Sequence, residues 1–228
     1  MKGVGDVVDG RYRLERRLGD GVFRAEDLSL ARGVVVRVSD AAGAAGLARL
    51  TSLLRSVQYA TSYVVPALDE GMTDDGGRYL VSPLIEGTPV SQLVAPGGRP
   101  IAPDTAASIG VALLEAAEAA RRAIPEGEGA VPAAAILDRD RDVRVTKFTL
   151  DGAGDAALCR TIGTVLHHLL TGREPEAGES VRARGHPVPD VLADVVDAAL
   201  AGDVRTPGEM RRRLAAARRR MPGSDPGI

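Results

Sequence analysis

The stretch "VRVTKFTLDG" (Val143 to Gly152) decides how the rest of the chain is interpreted. Valines open it and a polar turn closes it, which is typical of a strand that ends at a turn. Just before it stands "AAILDRDRD", an apolar run followed by alternating charges. Together the two segments predict a pair of short strands around a polar turn. The turn from Asp138 to Asp142 lacks the glycine and the distal glutamate of a calcium loop, which favours a solvated hairpin turn.

Helical patterns surround this strand pair. One Ala-rich helix is predicted before it, and three follow it, in the segments "APDTAASIGVALLEAAEAARRA", "ALCRTIGTVLHHLLTG", "VPDVLADVVDAALAGD" and "TPGEMRRRLAAARRR". The last has the clearest start, because Thr206 can cap it, Pro207 fits its first turn and Glu209 completes a capping box. The second half of the chain is therefore predicted to be mainly helical.

The first third of the chain has the pattern of a sheet. Five strands and one helix are predicted, in the segments "RYRLERRL", "VFRAED", "RGVVVRVSD", "LARLTSLLRSV" (the helix), "YVVPALDEG" and "RYLVSPLIEG". In the first strand, Tyr12, Leu14 and Leu18 are expected on one face. A sheet followed by helices predicts the α+β class.

Composition excludes several classes of function. The 228 residues carry a formal net charge of -2, with no Trp and two Phe, which argues against nucleic-acid binding by base stacking. Cys159 is the single cysteine, so no intrachain disulfide can form, a cytoplasmic location is expected and burial is the favoured role. His167 and His168 are adjacent and diverge on a helix, so a zinc site is not expected. No apolar run is long enough to span a bilayer.

Several strings in this order resemble bacterial Ser/Thr protein kinases. They are "GRYRLERRLGDG" for the first strand and glycine loop, "VVVRV" for the lysine strand, "YLVSPLIEGTPVSQLV" for the hinge and the next helix, and "IGTVLHHLLTGREP" for the buried helix of the large lobe. The resemblance implies a two-lobed protein-kinase-like fold, with an antiparallel β-sheet N-lobe and a helical C-lobe. We predict the N-lobe at residues 1–87, the C-lobe at 88–220 and a mobile tail at 221–228.

The phosphate-binding parts of that family are altered in the N-lobe. The loop at Gly19 to Gly21 is about four residues shorter than the family pattern, so it is expected to close as a plain turn. Arg37 stands where the family has its lysine, and a guanidinium does not replace an ammonium neutrally. No Asp or Glu occurs between Asp40 and Asp69, so the helix there cannot supply the orienting glutamate.

The catalytic and metal-binding parts are altered in the C-lobe. Aligning Pro132 with the family's catalytic-loop proline places Gly127, Glu128 and Gly129 at the catalytic triplet, with Gly129 at its aspartate, and Ala134 at the metal-binding asparagine. Lys147 stands at the metal-binding aspartate, in the triplet "KFT" that ends at Thr149 and keeps only the family's central Phe, Phe148, whose implied role is packing. Phosphoryl transfer in this family depends on these groups. The resemblance therefore implies a pseudokinase, with no enzymatic activity and no cofactor.

Lys147 leaves two interpretations open. An ammonium repels magnesium, so Lys147 either pairs with a local carboxylate such as Asp151 or joins Arg37 in holding an anion without a metal. The second interpretation is the alternative function: a metal-independent nucleotide-binding switch, or a kinase with residual activity. Only a short segment separates Thr149 from the next helix, so the family's long activation segment is missing.

Among pseudokinases, the chain resembles the cytoplasmic domain of actinobacterial MviN-type proteins of peptidoglycan synthesis. This resemblance implies a scaffold that an active Ser/Thr kinase phosphorylates on a threonine and that a forkhead-associated protein then binds. Thr206 and Thr149 are the candidate sites, with Thr73 and Thr171 as competitors. It also implies the cytoplasmic domain of a membrane protein. The basic stretch Arg211 to Arg220 is either a solvated helix face or a segment close to an anionic membrane or an acidic partner.

Overall fold

The structure is a computed structural model of the chain. It describes residues 2–125, 129–150, 152, 154–183 and 187–221. The chain divides into two compact units, residues 1–86 and 87–228.

The first unit is built on an antiparallel sheet. In spatial order its strands are β1, β2, β3, β4, β6 and β5. Their bounds are Val7–Val8 for β1, Tyr12–Gly19 for β2, Val22–Asp27 for β3, Arg32–Val38 for β4, Asp69–Met72 for β5 and Arg78–Pro83 for β6. The five predicted strands are present, and the short β1 adds a sixth at the edge. The fourth predicted strand is shorter than expected, because residues 63–68 lie outside β5.

One face of this sheet carries an apolar core. It consists of the buried side chains of Val8, Tyr12, Leu14, Phe23, Ala25, Val34, Val36, Tyr79 and Val81. The prediction that Leu18 joins this face is wrong, since the Leu18 side chain is 45% exposed. Two irregularities in the β2–β3 register, between Leu14 and Arg16 and between Arg17 and Gly19, interrupt the alternation of faces.

The single helix of this unit, α1 (Ala44–Val57), packs against β6. It buries Leu50, Leu53, Leu54 and Val57, at the spacing that one helical face requires. These side chains lie outside the apolar core cluster of the sheet.

In its described residues the second unit contains four α-helices: α2 (Pro103–Ala123), α3 (Asp155–Thr171), α4 (Asp190–Ala201) and α5 (Pro207–Arg220). Small residues let them approach closely. A Cβ on Gly110 of α2 would lie 2.8 Å from a methyl carbon of Leu214 on α5, and one on Gly163 of α3 would lie 3.1 Å from Cβ of Ala199 on α4. The helix predicted after "LIEG" is a single 3₁₀ turn, Val90–Gln92.

A three-stranded antiparallel sheet completes the second unit. Its order is β7 (Gly87–Pro89), β8 (Val131–Asp138) and β9 (Val143–Thr149). The β8–β9 turn is the predicted charged hairpin turn, in which Asp138 Oδ1 accepts the backbone N–H groups of Asp140 and Asp142. At the end of α5, Met221 is buried, although we predicted it in the mobile tail, and residues 222–228 lie outside the described residues. The α+β class predicted from the sequence is present.

Candidate functional site: a degenerate kinase-like centre

The β2–β3 hairpin, where the sequence resembles a phosphate-binding glycine loop, closes in two residues. Gly19 pairs with Val22, which leaves Asp20 and Gly21 as the turn. Gly21 adopts a φ of +61° that favours glycine, and a Cβ there would lie 2.5 Å from the Val38 carbonyl oxygen. Its own carbonyl oxygen accepts the Val38 N–H at 2.7 Å. The turn is therefore held against β4, and no chain is left over to cover a phosphate.

Arg37 lies on β4, directly opposite Leu80 of β6. Its neighbours Val36 and Val38 point to the apolar core of the sheet, so Arg37 points to the other face. Burial lowers the pKa of the Arg37 guanidinium below its ordinary value. Because α1 contains no Asp or Glu, this helix cannot supply a carboxylate partner for Arg37.

The strand pair β8–β9 carries the positions that the sequence aligns with catalysis and metal binding. The positions aligned with the family's catalytic loop, residues 131–134, form the first half of β8, which begins three residues before the strand predicted from Ala134. Val131 pairs with Thr149, and Ala134 pairs with Lys147. The expected loop and the expected metal triplet are thus the two sides of one antiparallel ladder, with irregular register on either side of Ala134.

On the exposed side of this ladder, neither aligned position carries a side chain that can ligate a metal ion. Ala134 and Lys147 are both exposed, and they present a methyl group opposite an ammonium. The only acidic residue of the two strands is Asp138, four residues beyond Ala134 and so about 13 Å along the strand. Asp138 is already engaged by Arg144, at 3.2 Å.

Gly129 and Phe148, two further positions that the sequence aligns with kinase motifs, are both buried. Gly129 is buried and has no side chain that can accept a proton. Phe148 is buried at 3% exposure, so the residue of the triplet that the resemblance assigned to packing does pack. The positions aligned with the rest of the catalytic triplet, Gly127 and Glu128, lie outside the described residues.

Lys147 has no hydrogen-bond or ion-pair partner among the described residues. Asp151, the partner that we considered for it, lies outside them. Between the end of β9 and the start of α3 there are only residues 150–154, which leaves no room for a long activation segment. No three His, Cys, Asp or Glu side chains in the described part of the chain are close enough together to hold a metal ion.

The four threonines weighed as phosphorylation sites differ in exposure. Thr149 and Thr206 are exposed, on β9 and at the start of α5. Thr73 is buried and donates to Asp75 Oδ1 at 2.6 Å, and Thr171 is buried and donates to the His167 carbonyl oxygen at 2.8 Å. A kinase needs an accessible hydroxyl, so exposure favours the first two.

Sequence reasoning missed a polar network in the first unit. Arg11 donates from Nε and Nη2 to the two oxygens of the buried Asp27, both at 2.8 Å. The Tyr12 hydroxyl donates to Asp69 Oδ2 at 2.5 Å, and the Tyr79 hydroxyl donates to Asp9 Oδ2 at 2.8 Å. These groups tie strand ends together, and no sequence pattern signals pairings between such distant positions.

The fold is similar to solved structures of a bacterial protein kinase, whereas no protein-family model matches the chain. A crystal structure of the PknI kinase domain of Mycobacterium tuberculosis, in a double mutant, matches with a TM-score of 0.67 and 17% identity, covering 95% of this chain and 99% of that one. Two further crystal structures of the same domain match with TM-scores of 0.65 and 0.60 at 15% and 18% identity. They cover 95% and 96% of this chain, and 100% and 98% of the matched chains.

The chain therefore has a protein-kinase-like fold, with an antiparallel sheet in the N-lobe and helices in the C-lobe. This confirms the resemblance to bacterial Ser/Thr protein kinases at the level of the fold. No helix in the described part of the chain is both long and apolar enough to cross a bilayer.

Proposed function

We propose that this chain is a pseudokinase: a kinase-like fold that transfers no phosphate and works by binding a protein partner. The observation that carries the proposal is the β8–β9 ladder, in which Ala134 stands opposite Lys147. Magnesium takes oxygen ligands, and the ladder offers it a methyl group and a positive charge at this level. The missing metal ligands and the two-residue turn in place of a glycine loop support the same conclusion.

Thermal unfolding with and without nucleotide tests this proposal. The midpoint is measured with millimolar ATP, in the presence and in the absence of magnesium. A ligand at a hundredfold its dissociation constant adds about 2.7 kcal/mol of stability, which gives an obvious shift. We expect no shift in either condition.

Either kind of shift would contradict the proposal, and the two kinds have different meanings. A shift without magnesium would favour the alternative, a metal-independent nucleotide switch that uses cationic groups such as Arg37 and Lys147. In that case Lys147→Ala should abolish the shift. A shift only with magnesium would mean that the metal site is made of residues other than those aligned above.

We further propose that the partner is a forkhead-associated domain protein, recruited after an active Ser/Thr kinase phosphorylates the chain. The resemblance to actinobacterial MviN-type pseudokinases supports this role, and we propose on the same basis that it serves the regulation of peptidoglycan synthesis. The exposed hydroxyls of Thr206 and Thr149 are the two accessible candidates.

Capture of a forkhead-associated domain by the kinase-treated chain tests this second step. Thr206→Ala and Thr149→Ala are compared with Thr161→Ala, which removes another exposed hydroxyl from the helix α3. We expect one of the first two variants to lose capture and the control to keep it. Capture that survives both variants, or that does not require the kinase, would overturn the phosphothreonine mechanism while leaving the pseudokinase proposal standing.

A further inference from the structure

The arginines of α5 divide into two groups according to what they contact. Arg211 Nε lies 2.6 Å from Glu118 Oε2, and Arg218 Nε lies 3.0 Å from Asp104 Oδ1. Both carboxylates belong to α2, so these two arginines fasten α5 to α2. Because residue 211 meets residue 118 and residue 218 meets residue 104, the two helices run antiparallel.

The remaining arginines of α5 share its outer face. Arg212 and Arg219 are seven residues apart, and so are Arg213 and Arg220, which places each pair on one line along the helix. The two lines are adjacent, about 100° apart, and all four side chains are exposed. The opposite side of α5 is filled by buried Met210, Leu214 and Ala217. The outer face is therefore a basic stripe with only small alanines between its arginines.

Most of the charge on this stripe is uncompensated. Arg213 forms an ion pair with Glu209 at 2.5 Å, one turn earlier. Among the described residues, Arg212, Arg219 and Arg220 have no carboxylate partner. Three exposed guanidinium groups thus share one helix face in a chain whose formal net charge is -2. This local excess is not a consequence of the overall composition.

We propose that the outer face of α5 binds the surface of an anionic lipid bilayer, through Arg212, Arg219 and Arg220. A straight helix face that carries guanidinium groups fits a plane of phosphate headgroups, and each basic side chain close to such a surface adds to the attraction. The face offers almost no apolar area to a protein partner, whose interface core would need it. The two Phe side chains are buried and the chain has no Trp. Few exposed aromatic rings are therefore present on which the bases of a single-stranded nucleic acid could stack.

Sedimentation with lipid vesicles tests the assignment on the full chain. Vesicles of phosphatidylglycerol and phosphatidylcholine in equal parts are compared with vesicles of phosphatidylcholine alone, at low and at high salt. We expect binding to the anionic vesicles only, weakened by salt because the charges are solvent-exposed. Replacing Arg212, Arg219 and Arg220 by Gln should lower the partition coefficient roughly a hundredfold, and replacing them by Lys should restore most of it.

A matched control distinguishes the effect of the basic stripe on vesicle binding from the effect of total net charge. Arg16, Arg99 and Arg160 are also exposed, and changing them to Gln removes the same charge from other places. We expect this control to bind within about twofold of the unchanged chain, since its stripe is intact. Equal loss in both triple variants, or no binding of the unchanged chain at low salt, would overturn the proposal. Tighter binding of a single-stranded RNA or of polyglutamate than of the anionic vesicles would also overturn it.

Discussion

Ala134 and Lys147 are cross-strand partners in the β8–β9 ladder, and both side chains are exposed. These are the two positions that the sequence aligns with the metal ligands of a protein kinase. Because the backbone at both positions is paired in a sheet, replacing either side chain would not turn this segment into a loop. In the same strand, the next residue after Lys147 points the other way and is buried. The two neighbouring residues of this triplet therefore lie in different environments, Lys147 at the surface and Phe148 in the core.

Truncating Phe148 or Lys147 to alanine should affect stability by very different amounts. Phe148→Ala removes a buried ring and should cost about 3–5 kcal/mol of unfolding free energy. Lys147→Ala changes an exposed side chain without a partner among the described residues, so its effect should stay within about 0.5 kcal/mol. Urea denaturation of the two variants measures both. A large loss for Lys147→Ala would show that this ammonium has a structural partner.

The single cysteine should report on global unfolding. Cys159 is fully buried, and burial raises the pKa of its thiol to about 11. Only the thiolate reacts with common labelling reagents, so at pH 8 the native chain should label very slowly and the urea-unfolded chain quickly. Mass spectrometry of iodoacetamide-treated protein measures the two rates. Rapid labelling of the native chain would show that α3 opens locally.

Gly77, in the tight turn before β6, has no space for a side chain, so any substitution there should destabilise the fold. A Cβ on the buried Gly77 would lie 1.9 Å from the carbonyl oxygen of Ser39, which is backbone and cannot easily move. Gly77→Ala should therefore destabilise the first unit by more than about 2 kcal/mol. The matched control is Gly46→Ala in α1, where nothing lies within 4 Å of the new Cβ. This control should gain up to about 1 kcal/mol, because alanine is the better helix former. Equal effects in urea denaturation would contradict the steric argument.

The order of the elements, including the β8–β9 strand pair, could be predicted from the sequence, but the register of the strands could not. Periodicity identified α1 and the helices of the second unit, because their buried residues follow a period of 3.6. Register was not visible in this way: the irregularities beside Arg16 that expose Leu18 depend on the facing strand. The start of β8 at Val131, three residues before the predicted strand, was missed for the same reason. The pairing of Arg11 with Asp27 joins residues whose contact only the folded sheet creates.

The ion pair between Arg11 and the buried Asp27 predicts a specific dependence of stability on pH. The bidentate contact with Arg11 holds the pKa of Asp27 below its ordinary value, and backbone N–H donors from Ser29 and Leu30 add to the effect. A lowered folded-state pKa means that the stabilisation is present above the unfolded pKa, about 3.9, and is lost as the pH falls through the folded pKa. Urea midpoints measured between neutral pH and about pH 2 should therefore fall less steeply below pH 4 in Asp27→Asn than in the unchanged chain. The exposed Asp140→Asn should follow the unchanged chain, and a matching slope in Asp27→Asn would contradict the assignment.

Thr206 combines a structural role with accessibility, and this makes its phosphorylation testable by stability. Its hydroxyl oxygen accepts the Glu209 N–H at 3.3 Å and caps α5, as the sequence predicted. Thr206→Ala should cost about 1 kcal/mol, whereas Thr206→Asp should retain the cap. A phosphate adds about 1.5 to 2 negative charges at the positive end of the helix dipole, so phosphorylation at Thr206 should keep or raise the thermal midpoint. A thermal midpoint that falls when Thr206 alone is phosphorylated would show that the modified residue leaves the cap. The forkhead-associated domain would then have to bind a first turn of α5 that is partly unwound.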